Sequence, residues 1–112
     1  MHELTVATSI VGIVTTEAGR AGVLRVKEVC LEVGQLAGIE YESLEFALEA
    51  ISPGSVIENA VINIEKPGGR GKCNVCGYEF AFESFLGSCS SCGSADLEIS
   101  GGRELRVKSI SI

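Results

Sequence analysis

The chain has 112 residues, of which 15 are acidic and 9 are basic, and its formal net charge at pH 7 is −6. This length allows one modest domain, or one small domain with an added module. No apolar stretch is long enough to span a bilayer and no secretory signal is apparent, so we expect a soluble, cytoplasmic protein. Residues 1–65 carry three basic and ten acidic side chains. This balance argues against nucleic acid as the partner.

Hydrophobic periodicity predicts two helices and two strands in the first part of the chain. Apolar residues at three- and four-residue steps from Leu4 to Ala18 predict an amphipathic helix over about residues 3–18. The β-branched stretch 23–33 predicts a strand. A second helix is predicted over about 41–51, and a second strand over 56–65, with its apolar residues on one face.

Four cysteines in the second part of the chain form the pattern C-x2-C-x12-C-x2-C. Thiolates suit zinc, which prefers four ligands in a tetrahedron, and all four positions can be filled by this quartet. A glycine follows each pair and allows a left-handed turn there. We therefore predict a structural zinc site, on which a module with few apolar residues depends for folding. Its ligands are Cys73, Cys76, Cys89 and Cys92.

Other interpretations of the quartet are disulfides, a redox pair and rubredoxin-type iron. Disulfides are disfavoured because a fifth cysteine, Cys30, is left over and the N-terminus shows no secretory signal. A thioredoxin-like redox motif occurs once in a chain, not twice. Iron can use a similar tetrahedral site. Cys30 itself lies in an apolar strand pattern, which favours a buried, unreactive thiol.

The zinc module is predicted as an insertion into an α/β fold. Alternating aromatic residues over 78–83 predict a short strand with an aromatic face. Glycines in 67–71 and at 101–102 are interpreted as hinges that give some freedom between two lobes, and 103–112 as a third strand. The predicted fold class is α/β: a small lobe with a three-stranded sheet and two helices on one face, plus an inserted zinc-ribbon-like module with two CxxC knuckles. The lobe comprises residues 1–66 and 103–112, and the module comprises 67–102.

The N-terminus offers a second type of metal site. His2 is the single histidine of the chain, and a lone histidine usually has no metal role. Here, however, the α-amine, the His2 amide and the His2 imidazole can chelate in sequence, and the amide or carboxylate of Glu3 can supply a fourth donor. Such a square-planar nitrogen set favours Ni(II) or Cu(II). The site would be open and exchangeable, unlike the closed cysteine site.

The Met1-His2-Glu3-Leu4 start, the chain length, the lone histidine and the late pair of CxxC motifs together resemble the HypA/HybF family of hydrogenase nickel-insertion proteins. The resemblance covers essentially the whole chain. It implies a non-enzymatic nickel metallochaperone for maturation of nickel–iron hydrogenase and, in some organisms, of urease. It implies transient Ni(II) cargo at Met1, His2 and Glu3, and structural Zn(II) in the four cysteines.

The same resemblance implies an accessory nickel GTPase and the hydrogenase large subunit as partners, with the chain as a monomer or a homodimer. An alternative is a zinc-ribbon module that binds protein or nucleic acid without delivering nickel. The acidic balance and the absence of a basic-aromatic stripe argue against that alternative. A small enzyme is disfavoured because the chain has no phosphate-binding glycine loop and no serine–histidine arrangement beyond His2.

Overall fold

The computed structural model describes residues 3–82 and 88–112, which divide into two compact units. The first unit contains the chain up to Glu32, Ile39–Glu65 and Arg106–Ile112, and the second contains Val33–Gly38 and Lys66–Leu105. The described residues form two three-stranded sheets. Within the described ranges, no helix is long and apolar enough to cross a membrane.

Two helices, α1 (Glu3–Arg20) and α2 (Tyr41–Ile51), contribute much of the core of the first unit. The bounds of α2 are those predicted, and α1 continues two residues past its predicted end. The apolar face predicted for α1 is partly wrong, because Leu4, the first residue assigned to that face, is 57% exposed. The buried side chains of the helices recur at helical spacing: Val6, Ala7, Ile10, Val14 and Ala18 in α1, and Leu44, Ala47 and Leu48 in α2.

The first sheet confirms the predicted three strands. It has β1 (Glu28–Val33) in the centre, with β2 (Val61–Glu65) and β6 (Leu105–Ser111) on either side. β2 runs parallel to β1. β6 runs antiparallel to β1, as its main-chain hydrogen bonds show: Lys27 N donates to Ser111 O at 2.7 Å, and Gly34 N donates to Glu104 O at 2.7 Å.

All three strands of this sheet begin later than predicted, and β6 does so by two residues. Residues 23–27 and 56–60 were assigned to strands but precede β1 and β2 as irregular chain. Val26, Val56 and Ile57 are nevertheless buried, and Val26 N donates to Val56 O at 3.0 Å. Their apolar character therefore reflects burial in the core and not strand conformation.

The second sheet consists of β3 (Gly69–Cys73), β4 (Glu79–Phe82) and β5 (Leu97–Gly101), in the antiparallel order β4-β3-β5. β4 corresponds to the predicted aromatic strand, whose expected last residue, Glu83, lies outside the described residues. The interpretation of 67–71 as a hinge is wrong from Gly69 onward, since these residues form the central strand. β5 was not predicted.

The loop after β1, Val33–Gly38, belongs to the second unit. The loop lies close to the two segments that were interpreted as glycine hinges, residues 67–71 and 101–102. A Cβ atom added to Gly34 would lie only 2.1 Å from Gly102 O. Glycine is therefore required at position 34 by the approach of two main chains. Three main-chain N–H groups of the loop donate to these segments: Gly34 to Glu104 O at 2.7 Å, Gln35 to Pro67 O at 2.9 Å, and Leu36 to Gly102 O at 2.6 Å.

Cys30 is half-buried, so the prediction of a buried thiol is wrong. Side chains alternate between the two faces of a strand, and Cys30 lies on the more exposed face of β1 together with Glu28 and Glu32. Its neighbours Val29 and Leu31 occupy the fully buried face. The apolar run around Cys30 thus marks a core strand without placing the thiol inside.

Candidate metal centre

The four predicted zinc ligands come together in the second unit. All four Sγ atoms lie within 4.8 Å of one another. Cys73 and Cys92 are 3.5 Å apart at sulfur, and Cys76 and Cys89 are 3.7 Å apart. A tetrahedron with metal–sulfur bonds of about 2.3 Å requires sulfur separations of about 3.8 Å, whereas a disulfide requires about 2.05 Å. All five cysteines are free thiols, so the cluster fits a metal and not disulfide bridges.

The two CxxC motifs form matching turns. Gly77 N donates to Cys73 O at 2.9 Å, and Gly93 N donates to Cys89 O at 2.8 Å. Both glycines have left-handed backbones, with φ of 76° and 77°, as the prediction for the residue after each pair requires. Each turn therefore aims two sulfurs at a common point by the same backbone device.

A pair of polar side chains joins the two turns. Asn74 N donates to Asp96 O at 2.9 Å, and the side chains repeat the contact, with Asn74 Nδ2 donating to Asp96 Oδ1 at 3.1 Å. Asp96 N in turn donates to Ser94 Oγ at 3.1 Å. Sequence reasoning missed this bridge. Its one available signal is an amide residue directly after Cys73, and nothing in the sequence identifies the partner.

Burial differs within each motif. The first cysteine of each pair, Cys73 or Cys89, is buried, while the second, Cys76 or Cys92, is exposed. The cluster therefore lies at the edge of the unit, with one side closed by protein. Among the described residues the cluster consists of four thiol donors with no fifth ligand, which suits a structural metal site of the closed type. This donor set fits zinc, and it also fits iron.

Before metal binding, the two closest thiols, Cys73 and Cys92, differ in pKa. Main-chain N–H groups of Cys76 and Val75 and the neighbouring thiols lower the pKa of Cys73 to about 7, although burial opposes the shift. At Cys92 the N–H of Ser94 lowers the thiol pKa. Contacts with the other three thiols and burial outweigh this and raise the pKa of Cys92 to about 12. Cys73 therefore loses its proton first and Cys92 keeps its own.

The predicted nickel ligands are only partly within the described chain. Met1 and His2 lie outside the described residues. Glu3 is the first residue of α1, and its Oε2 accepts a hydrogen bond from Glu40 N at 3.2 Å. Glu40 is the N-cap residue of α2 and has no side-chain capping bond of its own. The carboxylate of Glu3 thus links the beginnings of the two helices.

Comparisons with known proteins agree over the whole chain. A family model described as "Hydrogenase/urease nickel incorporation, metallochaperone, hypA" matches residues 1–112. A hydrogenase maturation factor HypA from Chlorobaculum tepidum is 44% identical over 112 residues, covering 100% of this chain and 99% of the relative. A HypA from Parabacteroides distasonis is 43% identical, covering 100% and 97%.

A solved structure has the same fold. The solution structure of the Ni metallochaperone HypA from Helicobacter pylori matches with a TM-score of 0.70, covering 100% of this chain and 97% of that one. The sequence identity to that protein is 22%, so this likeness concerns the fold alone.

Proposed function

The chain belongs to the HypA family of hydrogenase/urease nickel-incorporation metallochaperones, and we propose that it carries Ni(II) on its N-terminal residues to a hydrogenase precursor. The observation that carries this proposal is the family match over all 112 residues, together with relatives that cover the same length. A metallochaperone transfers an ion and makes or breaks no covalent bond of a substrate. The proposed role is therefore not enzymatic.

The proposed nickel ligands are Met1, His2 and Glu3. The α-amine, the amide and imidazole of His2, and a donor from Glu3 together form a nitrogen-rich set that suits a square-planar ion. Proteins deliver an ion only if they can release it, and a site at the chain end can open without disturbing the fold. Because the Glu3 carboxylate already accepts the Glu40 N–H, we favour the Glu3 amide as the donor that completes the plane.

Cys73, Cys76, Cys89 and Cys92 are proposed to hold one structural zinc ion. The buried apolar side chains among the described residues of the second unit are Val33 and the two inner cysteines, Cys73 and Cys89. So small a core cannot stabilise a module of this size. When bound, the metal would supply the missing folding free energy.

The proposed partners are an accessory nickel GTPase and the hydrogenase large subunit, within the cytoplasm, and the same chain can serve urease in a cell that makes one. Membership of a hydrogenase-maturation family supports partners in that machinery. The alternative, a zinc-ribbon module that binds protein or nucleic acid, is not favoured. The family match spans residues 1–112, well beyond the cysteine motifs, and the net charge is −6.

A transfer experiment tests this function. The zinc-loaded chain is charged with one equivalent of radioactive nickel and mixed with the purified, metal-free large-subunit precursor, the accessory GTPase and GTP. We expect nickel to move to the large subunit in the presence of a chelator that captures free nickel. Equal transfer from a His2→Ala variant, or from nickel salt without the chain, would refute the proposal.

A further inference from the structure

The cysteine cluster has a buried side and an exposed side. Cys73 and Cys89 form the buried side, with relative exposures of 0% and 2%, and Cys73 is the last residue of β3, the central strand of its sheet. Cys76 and Cys92 form the exposed side. A chelator or a second ion that approaches from water therefore meets Cys76 and Cys92 first.

Main-chain N–H groups hold the sulfurs of the second CxxC motif in place. Cys89 Sγ accepts a hydrogen bond from Ser91 N at 3.3 Å, and the exposed Cys92 thiol accepts one from the N–H of Ser94. Cys89 N also donates to Ser94 O at 2.7 Å. Groups that hydrogen-bond to a metal ligand orient it and tune its affinity for the metal. Ser94 is therefore placed to orient Cys92.

Ser94 is tied in turn to the first CxxC motif. Its Oγ accepts a hydrogen bond from Asp96 N at 3.1 Å. Asp96 accepts two hydrogen bonds from Asn74, one to its main-chain O from Asn74 N at 2.9 Å and one to its carboxylate from Asn74 Nδ2 at 3.1 Å. Asn74 directly follows Cys73. A continuous set of contacts therefore runs from the buried side of one motif to the exposed Cys92 of the other.

From these contacts we propose that the bridge between Asn74 and Asp96 positions Cys92 and thereby sets the rate at which the cluster exchanges its metal through the exposed side. This inference rests on the proposed zinc site and deepens it. Exchange is a ligand substitution without electron transfer: the Cys92 thiolate leaves the ion and takes up a proton, while a donor from solution forms a bond in its place. An intact bridge keeps the departing Cys92 sulfur beside the ion, where it rebinds before the donor arrives.

Slow exchange is useful to a chain that is proposed to carry nickel. The order of divalent-metal affinities gives Ni(II) substantial affinity for sulfur as well as nitrogen donors, so the cargo itself can compete for the exposed side of the cluster. A ligand held near the ion has a high effective concentration, which disfavours its replacement by a group from solution. The bridge thus keeps the structural metal in place while nickel loads and unloads at the N-terminus.

The test is the rate at which the zinc-loaded full chain gives up its metal to an excess of pyridylazoresorcinol, a chelator that changes colour on binding zinc. Asn74→Ala removes the side-chain part of the bridge. Asn63→Ala is the control, because Asn63 is an exposed asparagine of β2 in the other unit. We expect Asn74→Ala to release zinc about three- to tenfold faster and Asn63→Ala to change the rate by less than about twofold. Equal rates in the two variants would overturn the inference.

An exchange of the two bridging side chains supplies a rescue. Asn74→Asp alone places a second carboxylate beside Asp96, so we expect release at least as fast as in Asn74→Ala. Asn74→Asp combined with Asp96→Asn restores one amide and one carboxylate in the reversed order. We expect this double variant to release zinc within about twofold of the rate of the unaltered chain. A double variant as fast as Asn74→Asp would contradict a role for the side-chain hydrogen bond.

Three further readouts separate positioning of Cys92 from a general loss of stability. Release through the exposed side should accelerate with chelator concentration, because the incoming donor takes part in the step. Iodoacetamide should label Cys92 faster in Asn74→Ala than in the unaltered chain, with little change at Cys73. The spectrum of the cobalt-substituted variant should remain that of four thiolate ligands. A release rate independent of chelator concentration, or equally faster labelling at all four cysteines, would show that the metal leaves by unfolding and would overturn the inference.

A challenge with nickel tests the consequence for the cargo. The zinc-loaded chain is mixed with excess nickel salt, and thiolate-to-nickel absorption should grow faster in Asn74→Ala than in Asn63→Ala. Equal growth in the two variants would overturn the protective role. Zinc analysis of the unaltered chain separates this inference from the site on which it rests: a chain without bound zinc refutes both, whereas full zinc content with equal release rates refutes only the bridge.

Discussion

The carboxylate of Glu3 accepts a hydrogen bond from the main-chain N–H of Glu40, with an Oε2···N distance of 3.2 Å. Glu3 opens α1 and Glu40 precedes α2. The contact therefore connects a proposed nickel ligand to the start of α2. A ligand that draws the Glu3 carboxylate away would also release the start of α2.

This contact predicts a local effect of substitution at Glu3. In Glu3→Ala the Glu40 N–H loses its acceptor, which costs about 0.5–1.5 kcal/mol for a typical hydrogen bond. We expect faster amide hydrogen exchange at Glu40 and in the first turn of α2. Glu3→Gln keeps an acceptor oxygen and should change the exchange rate less. Unchanged exchange at Glu40 in Glu3→Ala would show that the contact contributes nothing.

A second prediction concerns Gly34. Since a Cβ at this position would lie 2.1 Å from Gly102 O, Gly34→Ala must displace one of two main chains. We expect a loss of about 1–3 kcal/mol in the free energy of unfolding, typical of overpacking. Denaturant unfolding of the zinc-loaded protein measures it. Gly19→Ala is the control, because Gly19 lies in α1 with open space around its Cα, and it should stabilise the protein slightly.

A third prediction concerns the cysteine cluster. Cys73→Ser removes a buried thiolate, so we expect zinc content to fall from about one equivalent towards zero and residues 70–98 to lose amide protection. Metal analysis and hydrogen exchange report the two effects. Cys30→Ser provides the control, because the half-buried Cys30 lies outside the cluster. Full zinc content in Cys73→Ser, or equal loss in Cys30→Ser, would contradict the assignment.

The thiol pKa values predict the direction of pH dependence. A thiol must lose its proton to bind a metal, and the pKa of Cys92 is raised to about 12 while that of Cys73 is lowered to about 7. At neutral pH the Cys92 thiol is therefore protonated and must release a proton on binding. Apparent zinc affinity should rise with pH, by at least about tenfold per unit between pH 7 and 8.

Competition with a chelator of known affinity measures this dependence across the pH range. Calorimetry in two buffers of different ionisation enthalpy counts the protons released. Zinc affinity that stays constant from pH 6 to 8 would mean that the cluster is already deprotonated before the metal arrives.

Prediction from the sequence succeeded where a single requirement, such as binding one metal ion or burying one helix face, fixes the identity of several residues at regular spacing. The cysteine spacing and the glycine after each pair predict a four-sulfur metal site, and the structure brings all four sulfurs together. The apolar stripe of α2 is short and regular, so its helix was predicted with the correct bounds. In the cysteine cluster and in α2, the residues that a local pattern identifies are the same residues that the folded structure brings together or buries.

In other segments the residue types suggest a conformation that the structure does not have. Gly69 and Gly71 suggested a hinge, but they are buried positions of β3, the central strand of a sheet. Pairing with β4 and β5 overrides the low strand propensity of glycine, and such long-range pairing is not visible in a local pattern. The exposure of Leu4 was likewise unpredictable, because periodicity indicates a helix face without showing where the neighbouring element ends.

The measurement that tests the central claim most directly is a nickel titration of the untagged, zinc-loaded chain. It is run beside His2→Ala and beside a version extended by a few residues before Met1. The account predicts about one equivalent of bound nickel in the unaltered chain and loss of that binding in both variants, with zinc content unchanged. Equal nickel binding in all three proteins would contradict an N-terminal site and, with it, the delivery mechanism proposed for this chain.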